Sequence, residues 1–184
     1  DVDGNIGYQM PGTVPIRRNH DGRFPVPGWT DAYEWEGYIP FEELPYLYNP
    51  EKGYIETANQ PVVSERYPYL VHLDYNLGYR ALRIADLIEN GPGPITPEYV
   101  AEMQRDVVNL SAAEILPFVL AENVAGHLAD PEVTTVADTL AAWNGAMEVD
   151  SPGAELYAFF HQALVEETFR DEIPDELWTR DRLL

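Results

Sequence analysis

The first residues that could do chemistry form an Asp-x-Asp-Gly stretch from Asp1 to Gly4, which resembles the start of a calcium-binding EF-hand loop. Such a loop needs a glutamate at its twelfth position, yet no carboxylate occurs between Asn5 and Asp21. Asp, Asn and Gly are also the residues that form tight turns. We therefore interpret this stretch as a turn that leads into a strand near Ile6.

Carboxylates and histidines offer two further chemistries. A glycosidase needs two carboxyl groups about 5 to 9.5 Å apart. With 32 acidic residues in the chain, the sequence does not single out any such pair. The four histidines have no second histidine at i+3 or i+4, so a zinc site is not predicted. They are His20, His72, His127 and His161. Because His161 lies among Phe159 and Leu164, we interpret it as a core or interface residue.

Aromatic residues are concentrated in the stretch WTDAYEWEGYIPFEELPYLY, which includes Trp29 and Trp35. These rings could form a sugar-stacking surface, as in a carbohydrate-binding module. Large rings in loops more often pack against a core. Packing is the favoured interpretation, and a non-catalytic module that binds a carbohydrate or peptide is the alternative function.

The overall composition limits the possible partners. The 184 residues carry a formal charge of −21, with ten Arg and one Lys, which excludes nucleic acids and anionic membranes as expected partners. The acidity fits either adaptation to high salt or an ordinary acidic enzyme. No run of about 20 apolar residues predicts a membrane span. The start lacks the pattern of a secretion signal, so the protein is cytosolic or the sequence lacks its true start.

Two portions with different patterns position these residues. Residues 1–63 are rich in Pro, Gly and aromatics and predict short strands, such as GYIP and GYIETANQ, joined by long loops. Residues 64–184 are predicted to be mainly helical, with helices from about residue 67 onward. Both portions are expected to belong to one larger catalytic domain.

Periodicity and capping residues predict the helices of the second portion. Ala81, Ile84 and Ile88 fall on one face of a first helix. Further helices are predicted to begin at Thr96, at the SAAE capping box of Ser111, at Asp130 and at Ser151. Pro117 is expected to lie in the helix that begins at Ser111, and Asn144-Gly145 is expected to end the helix that begins at Asp130.

Read as a run, the sequence resembles the penicillin acylase family, also called penicillin amidases. The resemblance rests on motifs that occur in the same order as in the family. In the first half of the chain they are DGNIGY, Gly12-x-x-Pro15-x-Arg17, FPVPGW, Trp35-Glu36-Gly37, IPFEELP, NPEKGYI and ANQP. They continue with YRALRI, ADPEVTTVADTLAAWNG and SPGAELY. It implies an α+β segment of the four-layer αββα fold of the N-terminal nucleophile hydrolases, internal to the β chain.

The resemblance also implies an activity and two site residues. The family hydrolyses N-acyl amides through an acyl-enzyme on an N-terminal serine, which this chain lacks, so the chain alone is predicted to be inactive. Asn59 matches the oxyanion-hole asparagine, although by itself it reads as a turn residue. Arg80 matches the arginine near the nucleophile's amine, with Arg83 as the rival assignment.

Other expectations from the resemblance concern partners and location. The α chain and the nucleophile-bearing part of the β chain are the implied partners, and the substrate is a small acyl amide of penicillin or acyl-homoserine lactone type. No cofactor is implied. Many relatives bind a structural calcium, but the matching position near Leu70 and Val71 has no carboxylate, so no metal is placed on this chain. The implied location is periplasmic or secreted.

Overall fold

The chain forms two compact units, Asp1–Asn90 and Gly91–Leu184. The structure is a computed structural model that describes residues 1–121, 130–174 and 178. Across those residues, every helix is too short or too polar to cross a membrane.

Four short strands lie in the first unit: β1 (Gly7–Gln9), β2 (Pro15–Arg17), β3 (Trp35–Tyr38) and β4 (Tyr46–Tyr48). They form two antiparallel pairs, β1 with β4 and β2 with β3. A bulge interrupts the second pair between Ile16 and Arg17. All three residues of β4 are exposed. Short strands are therefore present as predicted, and β3 includes the first two residues of GYIP.

The turn before β1 is held by a carboxylate. Oδ1 of Asp1 accepts hydrogen bonds from the backbone N–H groups of Asp3 (2.9 Å) and Asn5 (2.8 Å). Asn49, which follows β4, accepts from the N–H of Ile6 at 2.9 Å through its Oδ1. The side chains therefore satisfy the turn backbone, as is typical of Asx turns. The predicted turn is confirmed.

One strand prediction is wrong. Residues 53–60, the GYIETANQ segment, form a loop in a long connection that ends where α1 (Tyr79–Glu89) begins. A strand needs continuous extended backbone, whereas Asn59 has a left-handed φ of +67°. The backbone beside Asn59 hydrogen-bonds to a side chain and not to a neighbouring strand: the N–H of Ala58 donates to Oε1 of Gln60. The first helix also starts later than residue 67.

The first helix presents the predicted face. Ala81 is buried and Ile84 and Ile88 are partly buried, whereas Leu82 is 59% exposed. No side chain caps the N-terminus of α1, because Gly78 occupies the cap in a left-handed conformation (φ +78°). Glycine adopts this conformation without a steric penalty.

The second unit contains four described helices: α2 (Pro97–Met103), α3 (Leu110–Val119), α4 (Pro131–Ala142) and α5 (Pro152–Phe169). Thr96, Asp130 and Ser151 cap α2, α4 and α5 as predicted, each accepting a hydrogen bond from a first-turn N–H. Helix α4 ends at Ala142, shortly before the predicted stop. His127 lies outside the described residues.

The predicted capping box at Ser111 is wrong. Asn109 is the cap residue of α3, and its Oδ1 accepts from the N–H groups of Ser111 (3.1 Å) and Ala112 (3.4 Å). Ser111 lies inside the first turn, where its hydroxyl donates to the same Oδ1 at 2.7 Å. Asparagine is as good a cap as serine, and the earlier one begins the helix. Pro117 lies inside α3 as expected.

The core of the second unit joins three helices. Ala112, Leu140 and Tyr157, from α3, α4 and α5, are almost fully buried and form one cluster. The ring of Trp143 packs against Tyr157 with centroids 5.3 Å apart. Gly153 lies so close to Trp143 that a Cβ at this glycine would be 2.5 Å from the indole Cγ. The start of α5 can therefore approach α4 only because residue 153 lacks a side chain.

Candidate active site

Asn59 lies in the long loop between β4 and α1, and its backbone is fixed. Its φ of +67° is left-handed, a conformation that asparagine tolerates better than most residues. Its carbonyl oxygen accepts a hydrogen bond from the N–H of Asn76 at 2.9 Å. The Asn59 side chain is exposed, whereas the preceding Ala58 is 8% exposed. The loop thus anchors its backbone and presents the amide at the surface.

The structure brings Arg80 to Asn59. Nη2 of Arg80, in the first turn of α1, donates to Oδ1 of Asn59 at 2.6 Å and to the carbonyl oxygen of Ala58 at 2.9 Å. The rival Arg83 forms an ion pair with Asp86 on the same helix at 2.5 Å. Between the two arginines, the observed contact with Asn59 therefore favours Arg80. The catalytic roles of Asn59 and Arg80 stay predictions.

The contact fixes which way the Asn59 amide points. A guanidinium has only donors, so the atom that faces Arg80 must be the amide oxygen. Nδ2 then points elsewhere, and it donates to no protein atom within the described residues. This arrangement leaves a neutral N–H donor pair available at the surface, beside a permanent cation.

Gln60 shapes the loop and was missed by the sequence reasoning. Its Oε1 accepts from the N–H of Ala58 at 2.6 Å, and its Nε2 donates to the carbonyl oxygen of Glu56 at 3.2 Å. These two bonds close the loop over residues 56–60, so that Ala58 and Asn59 face Arg80 together. The signal in the sequence was the glutamine between Asn59 and Pro61. Backbone groups in a loop lack the hydrogen bonds of a β-sheet, so they need side-chain partners such as this one.

A second group of side chains in the first unit also reaches α1. The hydroxyl of Tyr54 donates to Oε1 of Glu89 at 2.5 Å, at the end of the helix opposite Arg80. This bond to the Glu89 carboxylate raises the pKa of Tyr54 to about 12. Nζ of Lys52 lies 4.5 Å from the centre of the Tyr54 ring and 2.5 Å from a carboxylate oxygen of Glu56. Tyr54 therefore stays a protonated donor at neutral pH.

The other candidate residues do not form a comparable site. Over the described ranges, no group of three or more His, Asp or Glu side chains is arranged to hold a metal ion. His161 is partly buried with its ring 6.0 Å from that of Tyr157, as expected for a core or interface residue. Trp29 and Trp35 are 88% and 57% exposed in this chain, so the favoured expectation that they pack against a core is not met here.

Comparison with known proteins identifies the family. The family described as penicillin amidase matches residues 1–184. Penicillin acylase 2 proenzyme of Pseudomonas sp. (strain SE83) is 34% identical over 164 residues, which are 89% of this chain and 21% of that protein. Acyl-homoserine lactone acylase QuiP of Pseudomonas fluorescens (strain Pf-5) is 31% identical over 183 residues, covering 94% of this chain and 22% of that protein. The chain therefore belongs to the penicillin amidase family, as the sequence motifs predicted.

A third relative and a solved structure extend this result. Penicillin G acylase of Escherichia coli is 33% identical over 162 residues, covering 83% of this chain and 18% of that protein. The structure of thermostable penicillin G acylase from Alcaligenes faecalis matches with a TM-score of 0.73 at 23% identity, over 96% of this chain and 33% of that one. The predicted α+β class is confirmed. The chain spans about a fifth of the length of the curated relatives.

Proposed function

We propose that this chain is part of an acylase that hydrolyses an N-acyl amide bond, with Asn59 as the oxyanion-hole donor. The observation that carries the proposal is the 2.6 Å contact between Nη2 of Arg80 and Oδ1 of Asn59. It turns the amide so that Nδ2 is the exposed atom, which is the orientation an oxyanion donor needs. The names of the matched relatives, penicillin acylases and acyl-homoserine lactone acylases, support the same reaction class.

The proposed nucleophile is a serine at the start of another segment of the same precursor. Ser64, Ser111 and Ser151 of this chain lie within it and have no free α-amine. An α-amine titrates near pH 8 and can take the serine proton at neutral pH. The serine oxygen then bonds to the substrate carbonyl carbon, and the proton passes to the leaving nitrogen as the amide bond breaks. Water hydrolyses the acyl-enzyme to release the acid and restore the serine.

Asn59 acts on the charge that forms in this step. As the tetrahedral intermediate forms, the carbonyl oxygen becomes negative and accepts a hydrogen bond from Nδ2 of Asn59. Removal of one such donor typically raises the barrier by about 3 to 4 kcal/mol. Arg80 holds the amide in place and, as a permanent cation, favours the neutral form of a nearby amine.

Two variants in the full-length enzyme test the role of Asn59. Asn59→Ala is expected to lower kcat by about 100-fold or more while an acyl ligand still binds. Because alanine is strained at φ +67°, Asn59→Gly is the matched variant, since it removes the amide and keeps the backbone conformation. Equal losses of kcat in both variants support the proposal. Full activity of Asn59→Gly would refute the side-chain role.

The precursor partners and the location are part of the same proposal. Other segments of the precursor would supply the α chain, the nucleophile and most of the acyl pocket, and the chain alone would be inactive. An intact mass spectrum of the purified protein tests this, because a companion chain that begins with serine is expected. We place the enzyme in the periplasm or outside the cell, which fractionation of the producing cells tests. The substrate is either of the penicillin type or of the acyl-homoserine lactone type. Hydrolysis rates measured on a panel of both types distinguish them.

A binding module is the second candidate, and the exposure of Trp29 and Trp35 favours it. Exposed tryptophan rings are suited to stacking on sugars or peptides. In that case the 184-residue chain binds a sugar or peptide by itself, replacement of either tryptophan with alanine weakens this binding, and Asn59→Gly has no effect on it. Under the acylase proposal, Asn59→Gly strongly lowers amide release in the full-length enzyme, whereas replacement of either tryptophan does not.

A further inference from the structure

Helix α1 is attached to the loop that carries Asn59 at two separate points. Arg80 contacts Ala58 and Asn59 at the start of the helix, and Glu89 accepts from the hydroxyl of Tyr54 at its last residue. Nine residues of helix, or about 14 Å, separate Arg80 from Glu89. The two attachments therefore lie almost the full length of the helix apart.

The loop connects these attachments through its own contacts. Lys52 lies over the Tyr54 ring and pairs with Glu56. The carbonyl oxygen of Glu56 accepts from Gln60, which in turn accepts from the N–H of Ala58. The contacts form a closed ring that runs from Glu89 along the loop to Arg80 and returns through α1.

The contacts at the Arg80 end hold only the first turn of the helix. Nη2 of Arg80 donates to the exposed side chain of Asn59 and to the partly buried carbonyl oxygen of Ala58, and single hydrogen bonds contribute modest net stability. Contacts confined to the first turn leave the far end of the helix, where Glu89 is exposed, freer to move. A second attachment 14 Å away, by the helix spacing of about 1.5 Å per residue, removes this freedom.

We propose that Tyr54 is a positioning residue for the candidate site: its bond to Glu89 holds α1 so that Arg80 keeps Asn59 oriented. This inference rests on the proposed function of Asn59 and Arg80. Tyr54 suits the task because it is partly buried and its side chain has only two rotatable bonds before the ring and hydroxyl. With its pKa raised to about 12, the hydroxyl remains a donor throughout the range in which an α-amine acts as a base.

The test compares Tyr54→Phe with a matched control in the full-length enzyme. Tyr69→Phe is the control, because the Tyr69 hydroxyl donates at 2.6 Å to a carboxylate oxygen of Glu43, which lies in the same unit and outside α1. Tyr54→Phe is expected to lower kcat about tenfold with little change in KM, since small displacements of catalytic groups cost up to about 100-fold. Tyr69→Phe is expected to leave kcat unchanged. Glu89→Ala, which removes the acceptor, is the second variant if Tyr54→Phe folds poorly.

A double-mutant cycle separates positioning from general stability. If Tyr54 acts through Arg80, then Tyr54→Phe has a much smaller effect on kcat in an Arg80→Lys background than in the parent. If Tyr54→Phe lowers kcat by the same factor in both backgrounds, the proposal is overturned. It is also overturned if the kcat values of Tyr54→Phe and Glu89→Ala equal that of the Tyr69→Phe control.

Hydrogen exchange distinguishes this inference from the proposed function. Tyr54→Phe is expected to speed amide exchange in the first turn of α1, including Leu82, and Tyr69→Phe is not. If the parent enzyme hydrolyses no acyl amide, the proposed function fails, and the exchange data still decide whether Tyr54 holds α1. Unchanged exchange at α1 in both Tyr54→Phe and Glu89→Ala would refute the positioning role.

Discussion

Arg80 and Asn59 are 21 residues apart in the chain, and yet Nη2 of the arginine lies 2.6 Å from Oδ1 of the asparagine. The contact joins the first turn of a helix to a left-handed loop residue. It therefore depends on both the loop conformation and the position of α1. Because Nη2 of Arg80 donates to the Asn59 amide oxygen, loss of this donor is expected to lower turnover by releasing the orientation of the amide.

The first prediction concerns Arg80 and its neighbour. Arg80→Met in the full-length enzyme is expected to lower kcat by about 10- to 100-fold, because the Asn59 amide loses its fixed orientation. Arg83→Met, one turn along the same helix, is the matched control and is expected to retain most activity. Steady-state kinetics on an acyl amide measures both. An equal loss in the two variants would assign no special role to Arg80.

The sequence predicted the Asn59–Arg80 pair only through the family motifs. Neither residue has a local signal, since Asn59 reads as a turn residue and Arg80 as a charge on a helix. Their approach depends on a loop that was predicted to contain a strand. The composition of residues 53–60 favours extended structure, but the bonds of Gln60 and Arg80 hold it as a loop. Such side-chain partners are distant in sequence or ambiguous, so periodicity does not reveal them.

Helix starts were easier to predict because their signals are local. Thr96, Asp130 and Ser151 each precede a proline at the first helical position, and all three are the observed caps. At α3 two capping residues compete, and the pattern favoured Ser111 where the structure uses Asn109. The tight approach of Gly153 to Trp143 was not predicted, because it depends on the packing of two helices.

The second prediction tests the corrected cap of α3. Asn109→Ala is expected to lower the free energy of unfolding by about 1 kcal/mol, since two first-turn N–H groups lose their acceptor. Ser111→Ala removes a hydroxyl but no cap and is expected to cost less. Chemical denaturation under identical conditions compares the two. If Ser111→Ala lowers the free energy of unfolding more than Asn109→Ala does, Ser111 is the cap residue of α3.

The third prediction concerns the ionisation of Tyr54. The bond to Glu89 favours the protonated phenol and raises the pKa of Tyr54 to about 12. Because the folded pKa exceeds the usual value of about 10, the stabilisation is complete below about pH 10 and is lost as the pH rises through about 12. Glu89→Gln is expected to lower this pKa towards 10. A ¹³Cζ titration of labelled tyrosine, with Tyr54→Phe to assign the signal, measures the change.

The fourth prediction addresses the contact between Gly153 and Trp143. Glycine to alanine at an ordinary helical position stabilises a protein by up to about 1 kcal/mol. At Gly153 the new Cβ would lie 2.5 Å from both Cβ and Cγ of Trp143, so the indole or the start of α5 must shift. Gly153→Ala is expected to destabilise the second unit by about 2 kcal/mol.

Gly28→Ala is the control for this steric effect, since a Cβ at Gly28 meets no atom within 4 Å. Thermal unfolding at one scan rate, with tryptophan fluorescence as the probe, compares both variants with the parent. Gly28→Ala is expected to leave Tm nearly unchanged while Gly153→Ala lowers it. If Gly153→Ala has the higher Tm, the indole of Trp143 has room to move, and the close approach of α5 to α4 does not require glycine.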